Sequence, residues 1–185
     1  MSLKGLIELV KEETLKRINP ETVPEEERDE VATKVAIAAL KYADFLPYRE
    51  TDYVFEVEKF ADLEGKTGPY LLYSTIRMKS LLKKAKDLDA QEIKEMQGSS
   101  EKDIALTLLE LPSILDKAFD AKSLNDIAEY IFNLTSLYNK FYAEHRILTE
   151  ENKSLQESWI VLTKIVYNVN MLLLDILGIE VPEKM

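Results

Sequence analysis

Apolar positions recur at three- and four-residue spacing through most of the chain, which is the periodicity of helices burying one face. The first such run covers residues 3–18, with Leu6, Leu9, Val10 and Leu15 as its stripe, and Asn19-Pro20 stops it. Thr22 to Pro24 start a second helix whose first turn is acidic, which suits the helix dipole. It continues through Val31, Val35, Ala38 and Ala39 to about Tyr42. Its small residues Ala36, Ala38 and Ala39 admit close approach of another backbone or of a ligand. Residues 44–50 are irregular around Pro47, and Tyr53 to Val57 is β-prone, a short extended piece or the entry to a helical turn. Beyond Gly65 and Gly68 a long helix runs to about Lys86, with Tyr70, Tyr73, Ile76, Arg77 and Ser80 on one face. Residues 87–98 form a polar surface connection.

Ser99 or Ser100 caps the next helix, which Ile104, Leu108 and Leu111 face inward until Pro112 breaks or kinks it. Ser123 caps another, with Ile127, Ile131, Leu134, Tyr138 and Phe141 as its stripe. Thr149-Glu150-Glu151-Asn152 opens the last, where Leu155, Trp159, Leu162, Val166, Val169, Leu173 and Ile176 keep the spacing until Gly178. The pattern predicts an all-α protein: a bundle of five to six main helices with an irregular glycine loop. The helices are punctuated and unequal, so the pattern is not that of a coiled coil.

Composition agrees with one helix-rich domain. The 185 residues are 46% apolar and 31% charged, with five glycines. The absence of cysteine excludes disulfides, thiolate nucleophiles and Cys-ligated metals, and accords with a cytoplasmic setting. No uninterrupted apolar run approaches the roughly 18 residues of a membrane span. A net charge of −10 opposes binding of nucleic acid by bulk electrostatics. Charge is nevertheless uneven: Arg77, Lys79, Lys83, Lys84 and Lys86 crowd one stretch without an acid among them.

A catalytic reading fails on inventory. His145 is the single histidine and has a surface or capping role, with no cysteine or second histidine to complete a metal site or nucleophilic pair. No phosphate-cradling Gly-x-x-x-x-Gly-Lys run exists, nor the His-Ile-Gly-His or Lys-Met-Ser-Lys signatures of class I synthetases. Catalytic residues and metal ligands are therefore assigned to none, and the chain itself takes no cofactor.

The distinctive stretch is Glu64-Gly65-x-Thr67-Gly68-Pro69-Tyr70-x-x-Tyr73-x-x-x-Arg77. Its glycines permit positive φ or close backbone approach, and Pro69 suits a first helical turn. It resembles the hallmark of the carboxy-terminal, all-helical anticodon-binding domain of arginyl-tRNA synthetases. Further blocks carry the same resemblance: Ala36-Ile37-Ala38-Ala39-Leu40-Lys41-Tyr42-x-Asp44, Asp52-Tyr53-x-Phe55, Ile127-Ala128-x-Tyr130-Ile131, Phe141-Tyr142-x-x-x-Arg146-Ile147-Leu148, and the closing Leu177-Gly178-Ile179-x-x-Pro182-Glu183-x-Met185. On this basis residues 1–23 are a lead-in helix following a catalytic domain and residues 24–185 the anticodon-binding domain. Lys4 then lies in mid-domain, with Met1-Ser2-Leu3 an addition ahead of it.

The resemblance implies a tRNA-binding module with no chemistry of its own. Its partners would be tRNA(Arg) and a covalently linked catalytic domain that uses ATP and magnesium, and it would act as a monomer. The implied anticodon contacts are Ala39, the loop Asp62, Leu63, Glu64, Gly65, Lys66 and Thr67, then Tyr73 and Met185. Arg77 and Lys79 add phosphate contacts. An unpaired base can stack on a phenol and lie under a flexible thioether, while Tyr70 packs against the loop. Two departures stand out. Trp159-Ile160 replaces an Arg-Leu pair, and Asn170-Met171-Leu172-Leu173 predicts a greasier last helix. The alternative from another class is a helical protein-interaction scaffold, with the tyrosine helix as core.

Overall fold

The computed structural model describes residues 2–54, 56–88 and 90–185. Seven α-helices and one 3₁₀ turn follow in order: α1 (Leu3–Leu15), α2 (Glu25–Phe45), α3 (Val57–Phe60), α4 (Gly68–Lys84), α5 (Ser99–Ala121), α6 (Asn125–Glu144), the 3₁₀ turn Ile147–Thr149 and α7 (Lys153–Ile176). Six are long and α3 is a single turn, so the all-α bundle with an irregular glycine loop is what the chain forms. No strand occurs among the described residues. Tyr53 and Val54 are exposed coil and Val57 opens α3, while the Phe55 expectation lies outside the described residues.

Packing runs α1 on α2, α2 on α4, α4 on α7, α7 on α6 and α6 on α5. One core threads every helix except α1 and the single-turn α3, and Ile127, Ile131, Leu134, Tyr138 and Phe141 of α6 are fully or almost fully buried in it as their spacing predicts. A smaller cluster of Val10, Ala36, Ala39 and Ala61 seals α1 to α2 and to the end of α3. The alanines of α2 serve close packing: a Cβ on Gly68 would stand 2.3 Å from the Ala38 carbonyl oxygen. That glycine lets α4 begin directly against α2.

Helix ends differ from expectation in four places. α1 stops at Leu15, and its buried pair is Val10 and Thr14, leaving Leu9 and Leu15 outward. Its cap is Ser2, whose hydroxyl accepts from the Gly5 amide. Gly98, not Ser99 or Ser100, is the cap residue of α5, and Glu101 lies three residues on. Pro112 neither breaks nor ends α5, which continues to Ala121. It sits on the solvent side, where water can satisfy the carbonyl its ring frees. Ser123 does not cap α6; its hydroxyl donates to Asn125 Oδ1 instead.

α7 is long and apolar enough by composition to cross a membrane, yet half of that window is buried in the bundle. Its polar positions explain why it belongs there. Asn170 is wholly buried and donates to Thr75 of α4 and, at 2.9 Å, to Thr135 of α6. The stretch expected to be greasier thus carries a buried polar side chain that ties three helices. Trp159 is buried as well, edge-on to Phe141 and His145, with its indole donating to Glu101 at 3.0 Å. Burial alone would raise the Glu101 carboxyl; the indole, the amides of Glu101 and Gly98 and nearby His145 together hold it below the usual carboxylate range.

Candidate functional site

Loop 62–67 owes its shape to its own polar groups. Asp62 Oδ1 accepts from the Glu64 amide, and Gly65 takes a left-handed φ of 76° at the tip. Thr67 closes the loop: its hydroxyl donates to the Asp62 carbonyl at 2.6 Å and accepts from the Tyr70 amide, capping α4. Thr67 is buried, so its side chain shapes the loop from within. Glu64, Gly65 and Lys66 project from the tip, and Lys66 pairs with Glu129 of α6 at 2.6 Å.

The two tyrosines of α4 part company. Tyr70 turns its ring to α6: it lies 5.6 Å from that of Phe132, and its hydroxyl meets Ser136 and Asn139. Tyr73, one turn on, is 43% exposed. It lines a cavity of ≈ 210 Å³ together with Leu63, Met185, Arg17, Asn19 and Thr22. Leu63 of the loop, Tyr73 and the closing Met185 therefore meet at one cavity. Ala39 does not line the cavity: it is 1% exposed, within the cluster that supports the α1–α2 wall.

The opposite wall comes from residues the sequence reading missed. After α1 the chain turns back through Arg17 to Thr22. Arg17 donates to the Glu58 carbonyl and lies 3.7 Å from Asp62, tying that turn to the glycine loop. Asn19-Pro20 marked the stop, but nothing local shows where the chain goes next.

Arg77 is held rather than free. Its guanidinium lies 4.5 Å from the Tyr142 ring centre and 5.7 Å from that of Tyr73, and it donates to Asn139 Oδ1 at 2.5 Å. Asn139 also donates to Tyr70 and Ser74, so one α6 amide positions three α4 side chains. Those partners are 62 to 69 residues away, so no sequence pattern announces them. Beyond Arg77 opens a second cavity of ≈ 570 Å³ lined by Ser80, Lys84, Tyr142, His145 and Arg146. No carboxylate is among its described lining residues. His145 ends α6, its Nδ1 2.8 Å from the Phe141 carbonyl.

Lys79 points elsewhere. It pairs with Glu183 at 2.6 Å, and Lys83 approaches the same carboxylate at 3.6 Å. Hydrogen bonding to Lys79, then its charge and that of Lys83, hold Glu183 below the usual carboxylate range. Part of the basic run is thus already neutralised, while Lys84 and Lys86 are exposed. Among the described residues, no group of three or more His, Asp or Glu side chains could hold a metal ion.

A profile of the DALR anticodon binding domain matches residues 71–185, well over half of the chain. The chain belongs to that family. The chain is 36% identical, over its whole length, to an arginine–tRNA ligase of Alkaliphilus oremlandii, of which it covers 32%. It is 37% identical over 88% of its length to the Maricaulis maris arginine–tRNA ligase, covering 28% of that protein. The whole chain superposes on Thermus thermophilus arginyl-tRNA synthetase with a TM-score of 0.91 at 23% identity, covering 32% of that chain. Against the Plasmodium falciparum enzyme the TM-score is 0.85 at 24% identity, covering 34%. The chain spans about a third of the length of the curated relatives it matches. The all-α bundle predicted from periodicity is the fold these two solved structures share.

Proposed function

We infer that this chain binds the anticodon loop of an arginine tRNA and does so as part of an arginine–tRNA ligase. Residues 1–23 lead in from the portion that carries out the ATP- and magnesium-dependent ligation, which lies within the two thirds of the relatives' length not spanned here. The observation that carries the reading is the Tyr73–Met185 cavity. A half-exposed phenol faces a flexible thioether across a space lined by both apolar groups and the hydrogen-bonding side chains Arg17, Asn19 and Thr22. A base turned out of a loop has this same composition: a stacking face and polar edges. From there Tyr73 leads over Arg77 to the second cavity, whose Lys84 and Arg146 suit phosphate oxygens. No carboxylate is among the described residues lining that second cavity, so its positive charge is local against the net charge of −10.

In this reading Leu63 and Tyr73 touch the loop nucleotides, with Met185 opposite, while the tip Glu64–Lys66 offers backbone amides. Thr67 and Ala39 shape the site from beneath. Arg77 is a positioned cation between two rings rather than a free phosphate hook. The chain acts as a monomer in the cytoplasm and has no ligation activity by itself. Titrating labelled tRNA(Arg) and a noncognate tRNA at low salt tests the reading: a clear preference for tRNA(Arg) supports it, and equal or absent binding sinks it and favours a helical interaction scaffold.

A further inference from the structure

The last eight residues form a strap rather than a fraying end. After Gly178, which takes φ 63°, Ile179 and Pro182 are buried, and lysines grip the segment on both sides. Lys41 donates to the Gly178 carbonyl, and Lys34 pairs with Glu180 at 2.6 Å. Lys79 and Lys83 share Glu183, and Lys184 reaches Glu27 at 3.2 Å. Met185 then arrives at the cavity, with its carbonyl accepting from Thr22 at 3.3 Å. Glu183 is the last acid before the methionine, and its grip comes from α4, the helix that also bears Tyr73. Lys79 and Tyr73 lie on a single rigid element, so the Lys79–Glu183 pair fixes the strap to the same frame as the stacking face.

We propose that Glu183, held by Lys79, is a positioning residue that seats Met185 over the Tyr73 cavity, and that Lys79 serves this clamp instead of a nucleic-acid phosphate. The proposal rests on the reading that the cavity takes a nucleotide of the tRNA. It also makes a prediction opposite in sign to the simplest electrostatic one. If Glu183 merely masked two lysines, removing its charge would free them for phosphate and tighten binding. If it seats Met185, removing it releases the thioether and weakens binding. An exposed ion pair is modest in energy, yet here it acts on the last link between a short tail and its cavity.

The test compares Glu183→Ala, Lys79→Ala, deletion of Met185 and the charge swap Lys79→Glu with Glu183→Lys. Each is titrated with tRNA(Arg) and followed by thermal unfolding, and the variants that keep Met185 also by its ¹³C-methyl resonance, which the Tyr73 ring lining the same cavity is expected to shift. Glu183→Ala and Lys79→Ala are each expected to weaken binding about two- to fivefold and to move the Met185 methyl toward its free position. Neither should weaken binding further once Met185 is deleted, and the charge swap should restore both readouts. Tighter binding by Glu183→Ala, or failure of the swap to rescue while the methyl stays put, overturns the clamp. The methyl signal needs no RNA. If it responds as expected but no variant or wild type binds tRNA(Arg), the anticodon reading fails and the clamp stands.

Discussion

Exchanging Tyr70 and Tyr73 for alanine separates fold from recognition on a single helix face. Tyr70 is half-buried, stacked near Phe132 and bonded to Ser136 and Asn139. Removing it deletes aromatic burial and leaves the Asn139 amide short of an acceptor. A fully buried aromatic costs about 3–5 kcal/mol on truncation, and partial exposure lowers this to about 2–3 kcal/mol. For a chain of 185 residues, each kcal/mol moves Tm by about 2–4 °C, so Tyr70→Ala should melt about 4–12 °C lower. Tyr73 is 43% exposed, and no hydrogen bond of its hydroxyl is lost with it. Tyr73→Ala should cost about 1 kcal/mol of stability or less. Its loss appears instead in binding, where a stacked base contributes about 1–3 kcal/mol, roughly five- to hundredfold in affinity. Tyr73→Phe keeps the face and should retain most of it. Differential scanning calorimetry beside fluorescence titration with tRNA(Arg) reads both quantities on the same samples. A large drop in Tm for Tyr73→Ala, with unchanged affinity per folded molecule, would show that Tyr73 is a structural residue and refute the argument.

Three further outcomes are expected. Gly68→Ala should lose about 1–3 kcal/mol by overpacking, since its Cβ would meet backbone at 2.3 Å; an unaltered melt would mean that α4 can back away from α2. Lys84→Glu with Arg146→Glu should weaken tRNA binding similarly for cognate and noncognate species and lower the salt slope by about one unit per lost phosphate contact; an unchanged slope would move the phosphate path off the second cavity. Because Glu101 titrates lower folded than unfolded, its stabilisation is present above the ordinary glutamate range and is lost as pH falls through its depressed value. Glu101→Gln should therefore show a smaller loss of stability than wild type between about pH 7 and pH 3, measured by urea unfolding; equal slopes would show that the indole contact does not hold the charge.

Local chemistry made much of this protein legible in advance. The α6 stripe, the Gly178 stop, the Thr67-Gly68-Pro69 entry to α4 and the all-α class depend on spacing and caps, which act within a few residues. What failed locally failed for a tertiary reason. Pro112 lies inside α5 because that part of the helix faces solvent, and the cap falls to Gly98, where a side chain would meet the Glu101 carboxylate of the first turn at 2.3 Å. Tyr70 and Tyr73 look alike in sequence, yet Asn139 and Phe132 of α6 claim the first and leave the second open. Lys79 reads as part of a free basic run until Glu183, 104 residues later, comes back to pair with it. Sequence placed the loop, the tyrosine and the methionine among candidates. Only the folding back of residues 17–22 and the clamped strap decided that they enclose one cavity, because both depend on contacts between segments whose separation no local pattern encodes.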